Sequence, residues 1–189
     1  MLLRGMAFLL VLAQAQDREE RGVYKLSADG RPAGSEEWRL ETFDDGKTVL
    51  FAKAKFEIEI PGSARRAYVT DTVLTMDKAF APALYAGYRK AGRDEDQVKI
   101  QWEKGTAISG AKKIRTSAAF LLDSTVTAHL IPILRQAGPG KKKIRLFNPT
   151  ALDDFEGSVE DRGEVILRGG DKAVRVRRLL PVAGGYEFG

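Results

Sequence analysis

Imidazole chemistry has one place to reside in this chain, His129, its single histidine. Ser124, Thr125 and Thr127 lie close to it. A nucleophile works only when a base stands beside it and a third group orients that base, and no such motif surrounds His129. The expectation is therefore a surface or half-buried helix residue. Cysteine is absent, which excludes disulfides, thiolate nucleophiles and cysteine-based zinc sites. Two acidic clusters, Asp94-Glu95-Asp96 and Asp153-Asp154 with Glu156, carry paired carboxylates. Neither has the alternating acids, central glycine and distal glutamate of a calcium loop, and both read as solvated turns.

Gly138-Pro139-Gly140-Lys141-Lys142-Lys143 combines glycine with lysine. A phosphate loop leads from a strand into a helix, whereas here a helix ends and a strand begins. The segment reads as a solvated basic turn, with lipid phosphate the one ligand its lysines suit. Arg175 and Arg177 share one face of a C-terminal strand, while Arg178 points with Val174 and Val176. An inward arginine needs a partner or an edge position, so Arg178 either protects an edge or lines a cavity. These residues point to no catalytic group, no metal site and no cofactor.

The elements that would position such groups are mainly strands. Ala52, Ala54, Phe56, Ile58 and Ile60 alternate with Lys53, Lys55, Glu57 and Glu59. Successive side chains of a strand face opposite ways, so this segment has one apolar and one charged face, as in an antiparallel sheet wet on one side. Val23–Ser27 and Glu37–Phe43 read as a hairpin around a turn-rich segment that starts at Asp29. Ala67–Met76 follows as a partner strand, with Tyr68, Thr70, Thr72, Leu74 and Met76 on one face. Lys78–Gly92, apolar and containing Pro82, reads as a loop with at most one helical turn. Val98, Ile100 and Trp102 alternate with charged and polar residues, and Ala107–Thr116 returns as their partner strand. One helix is expected over Ser124–Gln136, capped by Asp123 or Ser124 and stopped by Gly138-Pro139-Gly140. Pro132 inside it removes a backbone bond, which splits it into two short pieces or kinks it. Lys143–Phe147, Ser158–Arg168 and Lys172–Leu180 complete the strands. Tyr186 and Phe188 read as the opening of another, either a short edge strand or the sign of a chain truncated at its C-terminus.

At the start, Arg4 precedes an apolar run from Gly5 to Leu12, and Ala13-Gln14-Ala15 fits a small-x-small cleavage site. This order reads as a signal peptide over residues 1–15, with residues 16–189 as a single β-rich domain. The run falls short of the about 20 residues a membrane helix needs, and no other stretch is long enough to span. Cleavage removes Arg4, one of 31 cationic residues against 26 acidic ones, and lowers the net charge from +5 to +4. That excess favours anionic surfaces but is not concentrated as in nucleic-acid binders. The expected location is the periplasm or the exterior.

The segments VLTMDKAFAPALY, VKIQWEKGTAISG and LLDSTVTAHLIPILRQA resemble a family of exported bacterial β proteins of unknown function, similar in shape to the periplasmic lipoprotein carriers. The resemblance implies a mainly β (α+β) fold: a curved antiparallel sheet or half-barrel with one helix packed on its concave face. Carriers of this shape hold acyl chains between sheet and helix. One helix covers only part of a curved sheet, and small-molecule sites are concave and mostly apolar. The expected ligand is a lipid or other apolar molecule. Phe56, Ile58, Ile60, Val98, Ile100 and Trp102 would form sheet walls, and Leu130, Ile133 and Leu134 the helix lid. The alternative is an interaction or structural module of the cell envelope with a protein partner and no small-molecule ligand, joined through exposed strand edges.

Overall fold

The computed structural model describes residues 19–28, 30–59, 65–136, 139–169, 172–183 and 186–187, and beyond residue 164 their backbone only. The first fifteen residues, Ile60 and the side chains of Arg175, Arg177 and Arg178 lie outside that description. Eight strands follow one another as an antiparallel meander: β1 (Glu19–Ala28), β2 (Arg31–Thr42), β3 (Thr48–Ile58), β4 (Arg66–Met76), β5 (Pro82–Ala91), β6 (Asp94–Glu103), β7 (Thr106–Ser109) and β8 (Lys112–Arg115). β1 and β8 stand at opposite ends of the order, so the sheet is an open half-barrel and not a closed barrel. A 3-10 turn (Thr127–His129) leads directly into helix α1 (Leu130–Arg135) on the buried face. A second sheet has the order β13 (Tyr186–Glu187), β12 (Lys172–Ala183), β11 (Asp153–Gly169), β10 (Lys141–Asn148), β9 (Phe120–Leu121). Its β9–β10 pair is parallel.

Cross-strand rows on the inner face of the large sheet show how the alternation is used. Leu40, Leu50, Leu74, Tyr85 and Ile100 are successive partners across β2 to β6, and none is more than 1% exposed. The next row is Trp38, Ala52, Thr72, Gly87 and Val98, small in the middle and larger at the flanks. Then come Glu36, Ala54, Thr70 and Arg89, and beyond them Gly34, Phe56, Tyr68 and Ala91. Burying each large apolar side chain of the first row contributes about 1.5–3 kcal/mol.

Several expectations change. The acidic clusters and the lysine run, read as turns, lie at the starts of strands β6, β11 and β10, and β2 begins at Arg31, inside the segment read as a turn. Residues 82–91 form a strand rather than a loop. Both faces of β5 are largely apolar, which hides a period of two, and Pro82 sits at the first strand position, where a missing N–H costs no ladder bond. β3 begins at Thr48, ahead of the segment where charges reveal the alternation, because Val49 and Phe51 give its outer face apolar residues too. The expected return strand Ala107–Thr116 is two short strands separated by a turn at Gly110, whose φ is 58°. The helix is shorter than 124–136; it comes in two short pieces as expected, a 3-10 and an α piece, but the break falls between His129 and Leu130 and not at Pro132. Pro132 is the third residue of α1, within the first turn, where N–H groups have no intrahelical acceptor.

The helical segment is sandwiched. Val126, Ala128 and Ile131 join the core of the large sheet. Leu130 and Ile133 pack in a second cluster with Phe120, Leu122, Leu146 and Val159, and Leu134 lies partly buried against it. Phe80, with a left-handed backbone (φ 60°), touches both clusters.

Candidate functional site

A buried polar cluster fixes the helical segment to the sheet. Glu36, on the apolar face of β2, is fully buried. Its carboxylate accepts from the backbone N–H groups of Thr127 (2.8 Å) and Ala128 (2.6 Å), 91 and 92 residues later. The expected cap by Asp123 or Ser124 does not form: the 3-10 turn has no side-chain cap from its neighbours, and a strand residue satisfies those donors instead. Asp123 has other partners. Its Oδ2 accepts from the Tyr85 hydroxyl at 2.7 Å, and its Oδ1 accepts from the Thr125 N–H (3.0 Å) and hydroxyl (2.8 Å). Tyr85 reaches it by lying along β5 over Gly87, where an added Cβ would come within 2.5 Å of the phenol oxygen.

His129 is fully buried, deeper than the sequence suggested. Its Nδ1 accepts the Asp123 N–H at 3.2 Å, so the ring proton resides on Nε2, which has no partner among the described residues. The ring meets Tyr85 edge-on at 5.7 Å. Burial lowers the His129 pKa to about 4, against a smaller opposing pull from Asp123. Burial raises Glu36 to about 7, opposed by the Ala128 and Thr127 donors. Burial also acts to raise Asp123, but hydrogen bonds from Tyr85 and Thr125 and the nearby His129 outweigh it and hold its pKa low. Burial raises Tyr85, with Asp123 adding to the effect.

These groups do not form a triad. The Asp123 carboxylate does not orient His129; the backbone N–H does, and it occupies the one lone pair through which the imidazole would act as a base. Both oxygens of Glu36 and both of Asp123 are engaged as well. The cluster holds backbone in place, and of its side-chain polar atoms His129 Nε2 is the one without a partner among the described residues. Sequence reasoning missed Glu36 and Tyr85. One signal was present: Glu36 is in phase with Trp38 and Leu40, which puts a carboxylate on the apolar face of a strand.

Of the nine residues expected to line a ligand site, the eight that are described fall in separate places, and Ile60 lies outside the description. Ile100 is fully buried in the first row, and Val98 and Trp102 flank the same core partly buried, Trp102 edge-on to Phe147 at 5.3 Å. Leu130, Ile133 and Leu134 face the second sheet, away from those walls. Phe56 and Ile58 lie together at the far end of the inner face, half-buried. There Phe56 stacks on Tyr68 with centroids 5.1 Å apart and planes 8° from parallel. Beside them, Thr70 is 1% exposed and its hydroxyl has no partner among the described residues.

The outer face has its own groove of about 520 Å³ over β1 to β4, with Val23 and Phe51 among charged residues that include Arg21, Glu37, Arg39 and Lys53. Arg39 covers the Phe51 ring at 4.5 Å and pairs with Glu41. The acidic clusters are paired on the surface. Asp94, Glu95 and Asp96 meet Arg66, Lys90 and Arg89, and Asp154 meets Arg145 and Thr116.

The chain aligns with a β-barrel-like protein of domain of unknown function DUF1849 from Brucella abortus at a TM-score of 0.55 and 10% identity, over 86% of this chain and 71% of that one. The fold is β-barrel-like. A DUF1089 family protein from Pseudomonas aeruginosa aligns over 92% of this chain and 91% of its own, at a TM-score of 0.49 and 12% identity. The DUF1849 neighbour is itself a domain of unknown function. No family model and no curated protein matches the sequence.

Proposed function

We propose that this is an exported binding protein that takes an acyl chain or similar apolar group at the open end of the inner face, on Phe56, Ile58 and Tyr68. The observation that carries the reading is the half-buried Phe56–Tyr68 stack beside the buried Thr70 hydroxyl, which has no partner among the described residues. Aromatic pairs offer large apolar area with defined geometry. A buried hydroxyl without a partner costs about 1–3 kcal/mol, and the polar end of a ligand at Thr70 would offset that cost. The site is displaced from the position expected by analogy with lipoprotein carriers. The volume between helix and sheet is occupied by Ala128, Val126, Ile131 and the polar cluster.

Titration with dansyl-undecanoic acid tests this. Phe56→Ala and Tyr68→Ala weaken binding by about tenfold or more, a loss of about 1.4 kcal/mol each, while Leu134→Ala leaves it unchanged. Absence of probe binding, or equal losses in all three variants, overturns the reading. Export by residues 1–15 is part of the same proposal: the protein recovered outside the cytoplasm begins at Gln16, and retention of the uncleaved chain inside would contradict it.

A second reading, a protein-interaction module of the envelope, is favoured by β1. Its ten residues have no strand beyond them among the described residues, and Val23 beside the outer groove is 54% exposed. Such edges accept an added strand. In this case Val23→Asp abolishes capture of an envelope partner and leaves probe binding intact; unchanged capture counts against it.

A further inference from the structure

We propose that the two basic runs of this chain, residues 112–115 on β8 and 141–145 on β10, form one cationic surface that docks on anionic phospholipid headgroups. The same four residues, Lys-Lys-Ile-Arg, occur at 112–115 and again at 142–145. In both copies the isoleucine is half-buried and the three cations are exposed. Ile114 packs on the core of the large sheet and Ile144 on the second cluster. Each run is thus anchored by one apolar side chain with its cations turned to solvent.

Asp154 joins the two runs. Its carboxylate accepts from the Thr116 hydroxyl (2.6 Å) and the Ser117 N–H (3.2 Å), immediately after Arg115, and from Arg145 Nε (3.4 Å). The Ala119 N–H also donates to the Arg145 carbonyl at 3.0 Å. The surrounding acids lower the charge of this surface without cancelling it: seven cations, at 112, 113, 115, 141, 142, 143 and 145, stand against Asp154, Glu156 and Glu160. Asp154 is spent on these bonds, Glu160, across from Lys141, pairs with Arg162, and Glu156, across from Arg145, makes no ion pair among the described residues. Lys112, Lys113, Lys141, Lys142 and Lys143 have no ion-pair partner among the described residues; on the large sheet's outer face Arg39, Lys53 and Lys90 each meet a carboxylate, while Lys55 and Lys99, well apart from the basic runs, do not.

Lysines on a strand present mobile point charges, which suit a planar array of headgroup phosphates. Single-stranded nucleic acid asks for aromatic platforms among the cations. The exposed large apolar residues among those described are Val23 and Phe43, both on other parts of the chain. The surface uses none of the residues assigned to the apolar ligand, so the two proposals fail independently.

The test is co-sedimentation of the full secreted chain with phosphatidylcholine vesicles, with and without about 30 mol% phosphatidylglycerol. Binding is expected only with the anionic lipid and is lost in about 0.5 M salt. Reversing Lys112 and Lys113 to Glu, or Lys142 and Lys143 to Glu, lowers the partition by about tenfold or more. Reversing Lys55 and Lys99, exposed lysines of the large sheet, makes the same change in net charge and leaves most of the binding. Circular dichroism confirms that each variant is folded, and Phe56→Ala keeps full vesicle binding. The proposal is overturned by equal losses in all three reversal pairs, by equal binding to neutral vesicles, by no vesicle binding, or by a short single-stranded oligonucleotide that displaces the protein from vesicles.

Discussion

The two ends of the inner face are built from the same four strands and do different work. At one end Leu40, Leu50, Leu74 and Tyr85 form a sealed row, where Tyr85 holds the helical segment through Asp123, and Glu36, two rows along, holds the 3-10 turn that precedes α1. At the other end, three rows further along, Phe56 and Tyr68 stack half-exposed, with the Thr70 hydroxyl, unpartnered among the described residues, beside them. The difference lies in the covering layer. A helical segment of nine residues, 127–135, spans only part of a curved sheet, and polar anchors rather than apolar area alone decide which part. The closed end serves stability, and the open end is what remains for a ligand.

The largest separation between the ends comes from truncation. Leu50→Ala in the sealed row lowers unfolding free energy by about 3 kcal/mol, with a cavity left behind; a loss below about 1 kcal/mol in urea denaturation would show that the row is not a tight core. Next in size is the anchor. Tyr85→Phe leaves Asp123 Oδ2 buried without its donor and costs about 1–3 kcal/mol. Gly87→Ala places a Cβ against the Tyr85 phenol and breaks the same bond, so the double variant costs much less than the sum of the two. Full additivity would separate Gly87 from the anchor.

Titration sharpens the contrast further. His129, lowered to about 4, contributes stability that is complete above its ordinary 6.5 and is lost as pH falls through 4. Glu36, raised to about 7, contributes the reverse: its share is complete below 4.5 and is lost as pH rises through 7. The two oppose each other between pH 4.5 and 6.5. Glu36→Gln removes one of them, so the variant becomes more stable as pH rises through that window, by about 1–3 kcal/mol. A variant with the wild-type pH profile would contradict the assignment. The smallest effect on stability is expected at the open end: Phe56→Ala costs about 1 kcal/mol or less, because the ring is only half-buried, while the probe affinity falls about tenfold.

How much of this was legible depended on charge. Ala52–Ile58 and Val98–Trp102 announced themselves because lysine, glutamate and glutamine alternate with apolar residues there. β5 was hidden because Leu84, Ala86 and Tyr88 are as apolar as their neighbours on the other face. Phe56 and Ile58 share the inner face with Ala52 and Ala54, as the alternation implies, but their separation from Leu130, Ile133 and Leu134 depends on how far the helix reaches, which periodicity does not encode. Glu36 satisfies donors 91 residues away, and local capping rules look only at adjacent residues. The Asp123–Tyr85 bond spans 38 residues for the same reason.

Amide hydrogen exchange with and without dansyl-undecanoic acid tests the division of the inner face most directly. Added protection is predicted at residues 34–36, 54–58 and 66–70, with residues 122–135 protected alike in both states. Ligand-dependent protection at 122–135, or none at the Phe56–Tyr68 end, would contradict the account.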